Sequence, residues 1–165
     1  MKCEIISVGD ELLIGQTINT NASWLGEQLN NLGFTIAHGL VISDQKLDIV
    51  NALSQAEKRS DIVLITGGLG PTNDDITKHT LTEYFNTTLE LDKEIEQNII
   101  DYFTSRNLPI LQTNKDQALI PKSCKVLPNN RGSASGMWFE KNGVVFISLP
   151  GVPYEMKGIM NDHVF

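Results

Sequence analysis

The chain has 165 residues, which fits a single compact domain. Its 13 Lys and Arg against 20 Asp and Glu leave a net charge of −7. This acidic balance disfavours a general nucleic-acid binder, because such proteins neutralise phosphates with basic side chains. A hydrophobic content of 41% with 20% charged residues is that of an ordinary globular domain and excludes a disordered chain.

The sequence also indicates where the protein works. It has no apolar run near the roughly 18 residues of a membrane span, and its start lacks the apolar stretch of a signal peptide. Cys3 and Cys124 show neither a CxxC spacing nor nearby His ligands, so buried reduced thiols fit better than a disulfide or a zinc site. We therefore expect a cytoplasmic protein, with neither a membrane nor a nucleic acid among its partners.

Short apolar runs alternate with helical periodicity along the chain, which is typical of parallel strands joined by crossover helices. The first strand is predicted over residues 4–8. A helix follows, capped at Thr20 or Asn21 and ended by a left-handed residue at Gly33.

The same alternation continues with a second strand over residues 34–42 and a third over 61–66. Asp44 is interpreted as the cap of the helix between them. The third strand is apolar on both faces, as a central strand covered by helices should be. Another helix is predicted from about Asp75.

The last third of the chain contains a predicted helix that ends before Pro109 and a final helix that begins at Pro153. Between them, residues 137–140 and 144–149 are predicted to pair as a hairpin, because Asn142 and Gly143 form a strong turn signal. Loops that follow parallel strands converge on the carboxyl edge of the sheet, where open α/β folds bind ligands.

Three glycines follow the third strand directly. Backbone N–H groups can approach an anion closely there, and the next helix presents its positive N-terminal end to the same place. The pattern matches neither a Walker motif nor a dinucleotide fingerprint. The residues of the predicted phosphate-binding loop are Gly67, Gly68, Gly70 and Thr72. Alternatively, the glycines only form a tight turn, and Asp74 and Asp75 cap the helix.

Carboxylates on two loops are candidate metal ligands. Asp10 and Glu11 follow the first strand, and Asp74 and Asp75 follow the glycines. Because both loops come after parallel strands they can meet, and carboxylates together with phosphate oxygens suit Mg²⁺ or Mn²⁺. A solvated helix start is the alternative for each residue. His79, four residues after Asp75, is either an indirect partner of the metal or an exposed helix histidine.

Two further loops of small residues offer hydrogen bonds to a ligand. Ser133 lies in a loop over residues 132–136, whose N–H and hydroxyl groups could hold a phosphate or a ribose. Gly151 lies in a strand-to-helix turn and can approach a ligand closely. The alternatives are a plain hairpin connection for the first loop and a structural turn for the second.

The chain resembles a known family over its whole length. The resemblance is carried by segments 6–16, 19–21, 66–77 and 149–157, which are similar to the N-terminal domain of CinA, the competence/damage-inducible protein family. That domain belongs to the molybdopterin-binding superfamily of MoaB and MogA. One departure is Ser135, where CinA proteins usually have proline.

The resemblance implies a three-layer α/β/α fold with a mostly parallel sheet, as in MogA, in a homo-oligomer. It implies one domain over residues 1–165, as part of a longer protein whose C-terminal deamidase domain is not matched here. It also implies hydrolysis of ADP-ribose to AMP and ribose 5-phosphate with Mg²⁺, Mn²⁺ or Co²⁺. In the pterin-binding relatives a carboxylate at the position of Asp75 supports adenylyl transfer. Leu69 and Asp74 depart from their pattern of threonine and arginine, which favours the metal-assisted reaction.

The leading hypothesis is therefore an ADP-ribose pyrophosphatase with a small-molecule nucleotide substrate. Its predicted phosphate-binding residues are Gly67, Gly68, Gly70, Thr72, Ser133 and Gly151. Its predicted metal ligands are Asp10, Glu11, Asp74 and Asp75. Of these, Glu11, Asp74 and Asp75 are predicted to orient or deprotonate the attacking water. The alternatives are a non-catalytic nucleotide- or molybdopterin-binding module and an oligomerisation or interaction domain.

Overall fold

The computed structural model describes residues 1–71 and 76–165. Its strands are β1 (Lys2–Val8), β2 (Thr35–Ile42), β3 (Ile62–Thr66), β4 (Leu89–Leu91), β5 (Leu119–Pro121), β6 (Lys125–Leu127), β7 (Gly136–Lys141) and β8 (Val144–Leu149). Its helices are α1 (Asp10–Leu13), α2 (Thr20–Asn31), α3 (Lys46–Ala56), α4 (Thr77–Tyr84), α5 (Lys93–Thr104), α6 (Gln112–Lys115) and α7 (Pro153–Ile159). A 3-10 turn (Asp116–Ala118) follows α6, and a π-helical segment (Met160–Val164) extends α7. None of the helices in these described residues is long and apolar enough to cross a membrane.

The main sheet has the strand order β2-β1-β3-β8-β7-β6. The first four of these strands are parallel, so their carboxyl ends meet at one edge. β7 and β6 complete the sheet in antiparallel orientation. The β7–β8 hairpin turns at Asn142 and Gly143, whose φ angles of 52° and 80° are the positive values that a type I′ turn requires. The hairpin predicted from Asn-Gly is therefore confirmed.

Side chains of the parallel strands alternate between two apolar layers. Ile6 packs in one layer with Leu53 of α3 and Leu81 of α4. Ile5 packs in the other layer with Leu25 of α2, and α7 covers the same face. Because helices cover both faces, the central strand β3 is apolar from Ile62 to Ile65 and does not alternate with polar residues. The predicted three-layer α/β/α architecture with a mostly parallel sheet is confirmed.

Two predicted helix caps are wrong. α2 is capped by Asn19, whose Oδ1 accepts the N–H of Ala22 at 3.1 Å, and not by Thr20 or Asn21. The residue that precedes α3 is Gln45, and the Asp44 carboxylate accepts the N–H of Asp10 at 3.0 Å instead. The predicted helix start near Asp75 lies outside the described residues, and the described part of α4 begins at Thr77.

The stretch between α5 and β7 is more structured than its sequence indicates. It contains α6, the 3-10 turn, β5 and β6. β5 pairs antiparallel with β4 in a small second sheet, and β6 pairs with β7 in the main sheet. The 3-10 turn lies at the carboxyl edge of the main sheet, where Gln117 borders the cleft described below.

Candidate functional site

A cleft of about 430 Å³ lies at the carboxyl edge of the parallel strands. Its walls are the loops that follow β1, β3 and β8, the start of α2, and the loop before β7. Predicted site residues that line it are Glu11, Gly67, Gly68, Gly70, Ser133 and Gly151. Thr72, Asp74 and Asp75 lie outside the described residues, and their roles stay predictions.

The glycine loop that follows β3 is packed too tightly for side chains. Gly67 has a φ of 104°, and a Cβ on it would overlap the carbonyl oxygen of Val8 at the end of β1. Gly68 has a φ of 66°, and a Cβ there would overlap Oγ1 of Thr77 at the start of α4. The N–H of Gly67 donates to the carbonyl of Leu149 at 3.1 Å. Gly67 therefore fixes the shape of the loop, and its N–H is already committed within the protein.

The loop that follows β8 lies against the glycine loop. A Cβ on Gly151 would sit 3.5 Å from Cα of Gly67, which is ordinary contact. Nδ2 of Asn21, at the start of α2, donates to the carbonyl of Gly151 at 2.8 Å. Oδ1 of Asn19 caps the same helix, and its Nδ2 donates to Oγ of Ser7 in β1 at 2.9 Å. Two carboxamides thus tie α2 to the strand ends that form the cleft.

Glu155, in the first turn of α7, lines the cleft and is bonded to the loop that precedes β7. Nδ2 of Asn129 donates both to Oε2 of Glu155 at 2.6 Å and to the carbonyl of Ala134 at 2.9 Å. The carboxylate also occupies the space where a side chain on Gly132 would lie. Burial raises the pKa of Glu155, although the hydrogen bond from Asn129 favours its ionised form.

The charges that line the cleft are all negative. Glu11, Asp44 and Glu155 border it, and no Lys, Arg or His does so in the described part of the chain. A polyphosphate in this cleft would therefore find backbone and hydroxyl donors but no fixed positive side chain. A bound cation is the remaining way to offset its charge.

Asp10 lies beside the cleft and is joined to Asp44. The N–H of Asp10 donates to Oδ2 of Asp44 at 3.0 Å, and the N–H of Asp44 donates to Oδ1 of Asp10 at 3.4 Å. This exchange ties the start of α1 to the end of β2. Over residues 1–71 and 76–165, no three Asp, Glu, His or Cys side chains gather in a way that could hold a metal ion.

Two other predicted features lie away from the cleft. His79 is exposed on α4 and borders a second cavity of about 290 Å³. Cys3 is buried in the core and Cys124 is half-buried, and both are free thiols. Burial raises the pKa of Cys3, and it raises that of Cys124 to about 12, so neither thiol is an activated nucleophile.

Sequence reasoning missed Gln117, Glu155 and Lys78. Gln117 belongs to a stretch without clear periodicity, and its Nε2 donates to the carbonyl of Leu69 in the glycine loop at 3.4 Å. Lys78 donates to backbone carbonyls of the 3-10 turn. Glu155 directly follows the Gly151 turn, so its place in the predicted ligand-binding loop was the signal that could have identified it.

Comparison with known proteins agrees with this fold. The pattern of the family described as "Probable molybdopterin binding domain" matches residues 4–165. A CinA-like protein of Flavobacterium psychrophilum is 51% identical over 99% of this chain and 40% of its own length. A CinA-like protein of Cytophaga hutchinsonii is 49% identical over 96% of this chain and 38% of its own length. The chain thus spans about two fifths of the length of these curated relatives.

Solved structures give the same result. The protein CinA from Thermoplasma acidophilum superposes with a TM-score of 0.87 at 34% identity, covering 97% of this chain and 94% of that one. The tungsten cofactor synthesizing protein MoaB from Pyrococcus furiosus superposes with a TM-score of 0.63 at 21% identity, covering 99% and 92% of the two chains. The second likeness extends to the fold alone. The chain belongs to the family of the "Probable molybdopterin binding domain" and, within it, to the CinA-like proteins.

Proposed function

We propose that the chain hydrolyses the phosphoanhydride bond of ADP-ribose, with AMP and ribose 5-phosphate as products, and that a divalent cation assists. The observation that supports this proposal is the cleft itself. A glycine loop that only glycine can form lies opposite carboxylates, with no basic side chain on the described walls. Such a cleft suits a phosphoanhydride that brings a cation with it.

The loops at the carboxyl edge would hold the pyrophosphate. Gly68 and Gly70 leave the backbone accessible, and Ser133 and Gly151 border the same space. Gly67 contributes by holding the loop against β1 and β8, because its own N–H is bonded to Leu149. Thr72 is proposed to add a hydroxyl from the same loop.

The lining fits a hard divalent cation such as Mg²⁺, Mn²⁺ or Co²⁺, because its charged groups are carboxylates. Glu11 and Asp10, with Asp74 and Asp75, are the proposed ligands, together with phosphate oxygens. When bound, the cation would offset the charge that develops on the phosphoryl oxygens.

The same carboxylates would also act on the water that attacks phosphorus. Glu11, Asp74 and Asp75 are proposed to orient this water or accept its proton. The water oxygen forms the new bond to phosphorus, and the bridging oxygen of the anhydride leaves with the other phosphate. An ionised carboxylate is a competent acceptor for the released proton near neutral pH.

The proposal is tested by incubating the purified chain with ADP-ribose and each of the three metals, and by measuring AMP chromatographically. We expect AMP to form with metal and not with EDTA. Asp75→Asn should lower turnover about 100-fold or more, the size of effect that loss of acid–base catalysis produces. The matched control is Asp101→Asn, an exposed carboxylate on α5, which should leave turnover unchanged. A folded protein that releases no AMP with any of the metals would refute the proposal.

The alternative is a module that binds a nucleotide or a pterin without turnover. Leu69 argues against the pterin version, since this side chain is 5% exposed and packs into the core below the loop. It therefore offers a ligand no hydroxyl at the position where the pterin-binding relatives have threonine. Tight calorimetric binding of AMP or ADP-ribose without hydrolysis would support the nucleotide-binding module.

We also propose that the chain forms a homo-oligomer. Leu13, Ile14 and Ile18 lie close together in sequence beside the cleft, and they are 49%, 75% and 83% exposed. Association between copies would cover this apolar surface. Light scattering on the purified chain measures the mass directly, and a monomer at all concentrations would contradict the proposal.

A further inference from the structure

Two buried carboxamides from separate elements line the cleft. Asn21, in the first turn of α2, is 8% exposed. Gln117, in the 3-10 turn after α6, is 4% exposed and also borders the second cavity. Each reaches a different loop of the cleft from a rigid element.

Hydrogen bonding fixes the orientation of both amides. Nδ2 of Asn21 donates to the carbonyl of Gly151, and Nε2 of Gln117 donates to the carbonyl of Leu69. A carbonyl can only accept, so the NH₂ group of each amide must face its loop, and the amide oxygen faces away from it.

Neither amide oxygen has a partner. Oδ1 of Asn21 and Oε1 of Gln117 accept no hydrogen bond from any residue within 1–71 and 76–165. Buried acceptors in native proteins are nearly always satisfied. Both side chains line the cleft, so a ligand bound there could supply the missing donors.

The phosphate end of a ligand cannot supply those donors. A fully ionised phosphate has only acceptor oxygens, so it suits the glycine loop but not an amide oxygen. The ligand must therefore also carry hydroxyl or amino groups. Inorganic phosphate and pyrophosphate lack them when fully ionised, whereas sugar phosphates and nucleotides carry them on the sugar or the base.

Gln117 is held in place before any ligand arrives. Nζ of Lys78 donates to the carbonyl of Asp116 at 3.1 Å and to that of Gln117 at 3.5 Å. These bonds tie the 3-10 turn to α4, which begins next to the glycine loop. A side chain anchored at its backbone and at its NH₂ group loses little freedom when its oxygen accepts a further bond.

We propose that Asn21 and Gln117 form a subsite that recognises the hydroxyl or amino groups of a phosphate ester whose phosphate lies on the glycine loop. The subsite rests on the proposed function for the site of the phosphate, and it adds the residues that would distinguish an organic phosphate such as ADP-ribose from a bare polyphosphate.

Calorimetric titration tests the subsite with ADP-ribose, supplied as its non-hydrolysable α,β-methylene analogue, and with inorganic pyrophosphate, each in the presence of Mg²⁺. The wild type should bind ADP-ribose at least about tenfold more tightly than pyrophosphate, the effect of one net hydrogen bond. Asn21→Leu and Gln117→Met remove the amide oxygens at similar side-chain volume. Each should weaken ADP-ribose binding about tenfold and leave pyrophosphate binding within about twofold. Gln97→Met, an exposed amide change on α5, should alter neither affinity.

Several outcomes would overturn the subsite. Equal wild-type affinity for the two ligands would do so without any variant, and this comparison holds even if a variant fails to fold. Equal weakening of both ligands by the variants would show that the amides only hold the loops. If the affinity changes when Na⁺ replaces K⁺ in the buffer but does not differ between the two ligands, the amide oxygens bind a cation and not the ligand. Failure of the wild type to bind either ligand would remove both proposals. If the two ligands differ in affinity as expected but ADP-ribose yields no AMP, the proposed hydrolysis is refuted and the proposed subsite is supported.

Discussion

Gly67 and Gly68 are held in a conformation that other residues adopt at a cost. Their positive φ angles belong to the region that side chains disfavour. In addition, the space beside each Cα is filled, by a backbone oxygen at Gly67 and by a threonine hydroxyl at Gly68. The shape of the glycine loop is therefore determined by β1 and α4, which pack against it.

Alanine substitutions test this packing. Gly67→Ala should lower the free energy of unfolding by about 3 kcal/mol or more, because backbone strain adds to the clash with the carbonyl of Val8. Gly68→Ala should also destabilise the chain, because Thr77 is fully buried and its Cβ would lie 2.9 Å from the added methyl group. Gly151→Ala is the matched control for stability, because its Cβ would meet only ordinary contact. Urea unfolding measures the free energy of unfolding of each variant. Equal stability of Gly67→Ala and Gly151→Ala would show that the backbone around Gly67 is not tightly packed.

Lys78 should make stability depend on pH above neutrality. Burial lowers its pKa from 10.5 to about 8, against the opposing attraction of Asp116. The folded chain therefore loses this proton near pH 8, while the unfolded chain keeps it to about 10.5. Between these values the unfolded state binds more protons, so the contribution of Lys78 to stability rises with pH, by roughly 1–3 kcal/mol.

Lys78→Met removes this titration at similar side-chain length. Urea unfolding at several pH values from 7.5 to 10 should show the wild type gaining stability relative to the variant as the pH rises. Because the other groups that titrate in this range are the same in both proteins, their effects cancel in the difference between the two free energies of unfolding. Parallel curves would show that Lys78 keeps an ordinary pKa in the folded chain.

At the scale of elements, two helices share one capping device and differ in what surrounds it. Oδ1 of Asn19 caps α2, and Oδ1 of Asp92 caps α5 by accepting the N–H groups of Glu94 and Ile95. Only Asn19 also reaches a strand, through its bond to Ser7, and only α2 borders the cleft. Comparing substitutions at these two caps therefore separates an effect on stability from an effect on the cleft.

Asn19→Ala and Asp92→Ala should each lower the free energy of unfolding by about 1 kcal/mol. Only Asn19→Ala should also weaken ADP-ribose binding, because the start of α2 carries Asn21 into the cleft. Thermal unfolding and calorimetry measure the two effects on the same preparations. Equal loss of ligand affinity in both variants would mean that binding follows overall stability and not the position of α2.

The sequence correctly predicts the elements that are determined by the residues within them. The apolar run of β1 and the Asn142–Gly143 turn each carry their own signal, and both are present. The strands β4, β5 and β6 have three residues each, which is too short for periodicity to show. They form because partners elsewhere in the chain pair with them.

The same distinction holds for the cleft. Glycine loops after buried strands can be recognised in sequence because their backbone demands are local. The roles of Asn21 and Gln117 cannot, since Asn21 bonds to Gly151, 130 residues away, and Gln117 to Leu69, 48 residues away. Asn21 and Gln117 become candidates because folding buries them and leaves their amide oxygens without a partner among the described residues.

For the molecule as a whole, the candidate cleft and a buried ion pair lie at opposite edges of the main sheet. The carboxyl edge holds the cleft, whereas the amino edge holds an ion pair that fixes β1. Glu4 is fully buried and receives Nε and Nη2 of Arg59 at 2.9 and 2.6 Å, as well as the hydroxyl of Ser60 at 3.0 Å. Arg59 and Ser60 lie between α3 and β3, so the pair closes one crossover of the fold.

Breaking this pair should destabilise the chain without touching the site. In Arg59→Met the buried Glu4 carboxylate keeps only the hydroxyl of Ser60, so the urea midpoint should fall clearly. The double variant Glu4→Met/Arg59→Met should unfold at higher urea than Arg59→Met alone, because it leaves no buried charge. Lys122→Met breaks the ion pair with Glu90, whose side chains are 67% and 54% exposed, and should not move the midpoint measurably. All three proteins should bind ADP-ribose as the wild type does at temperatures where they are folded. A double variant less stable than Arg59→Met would show that the pair stabilises the fold through more than the pairing of charge.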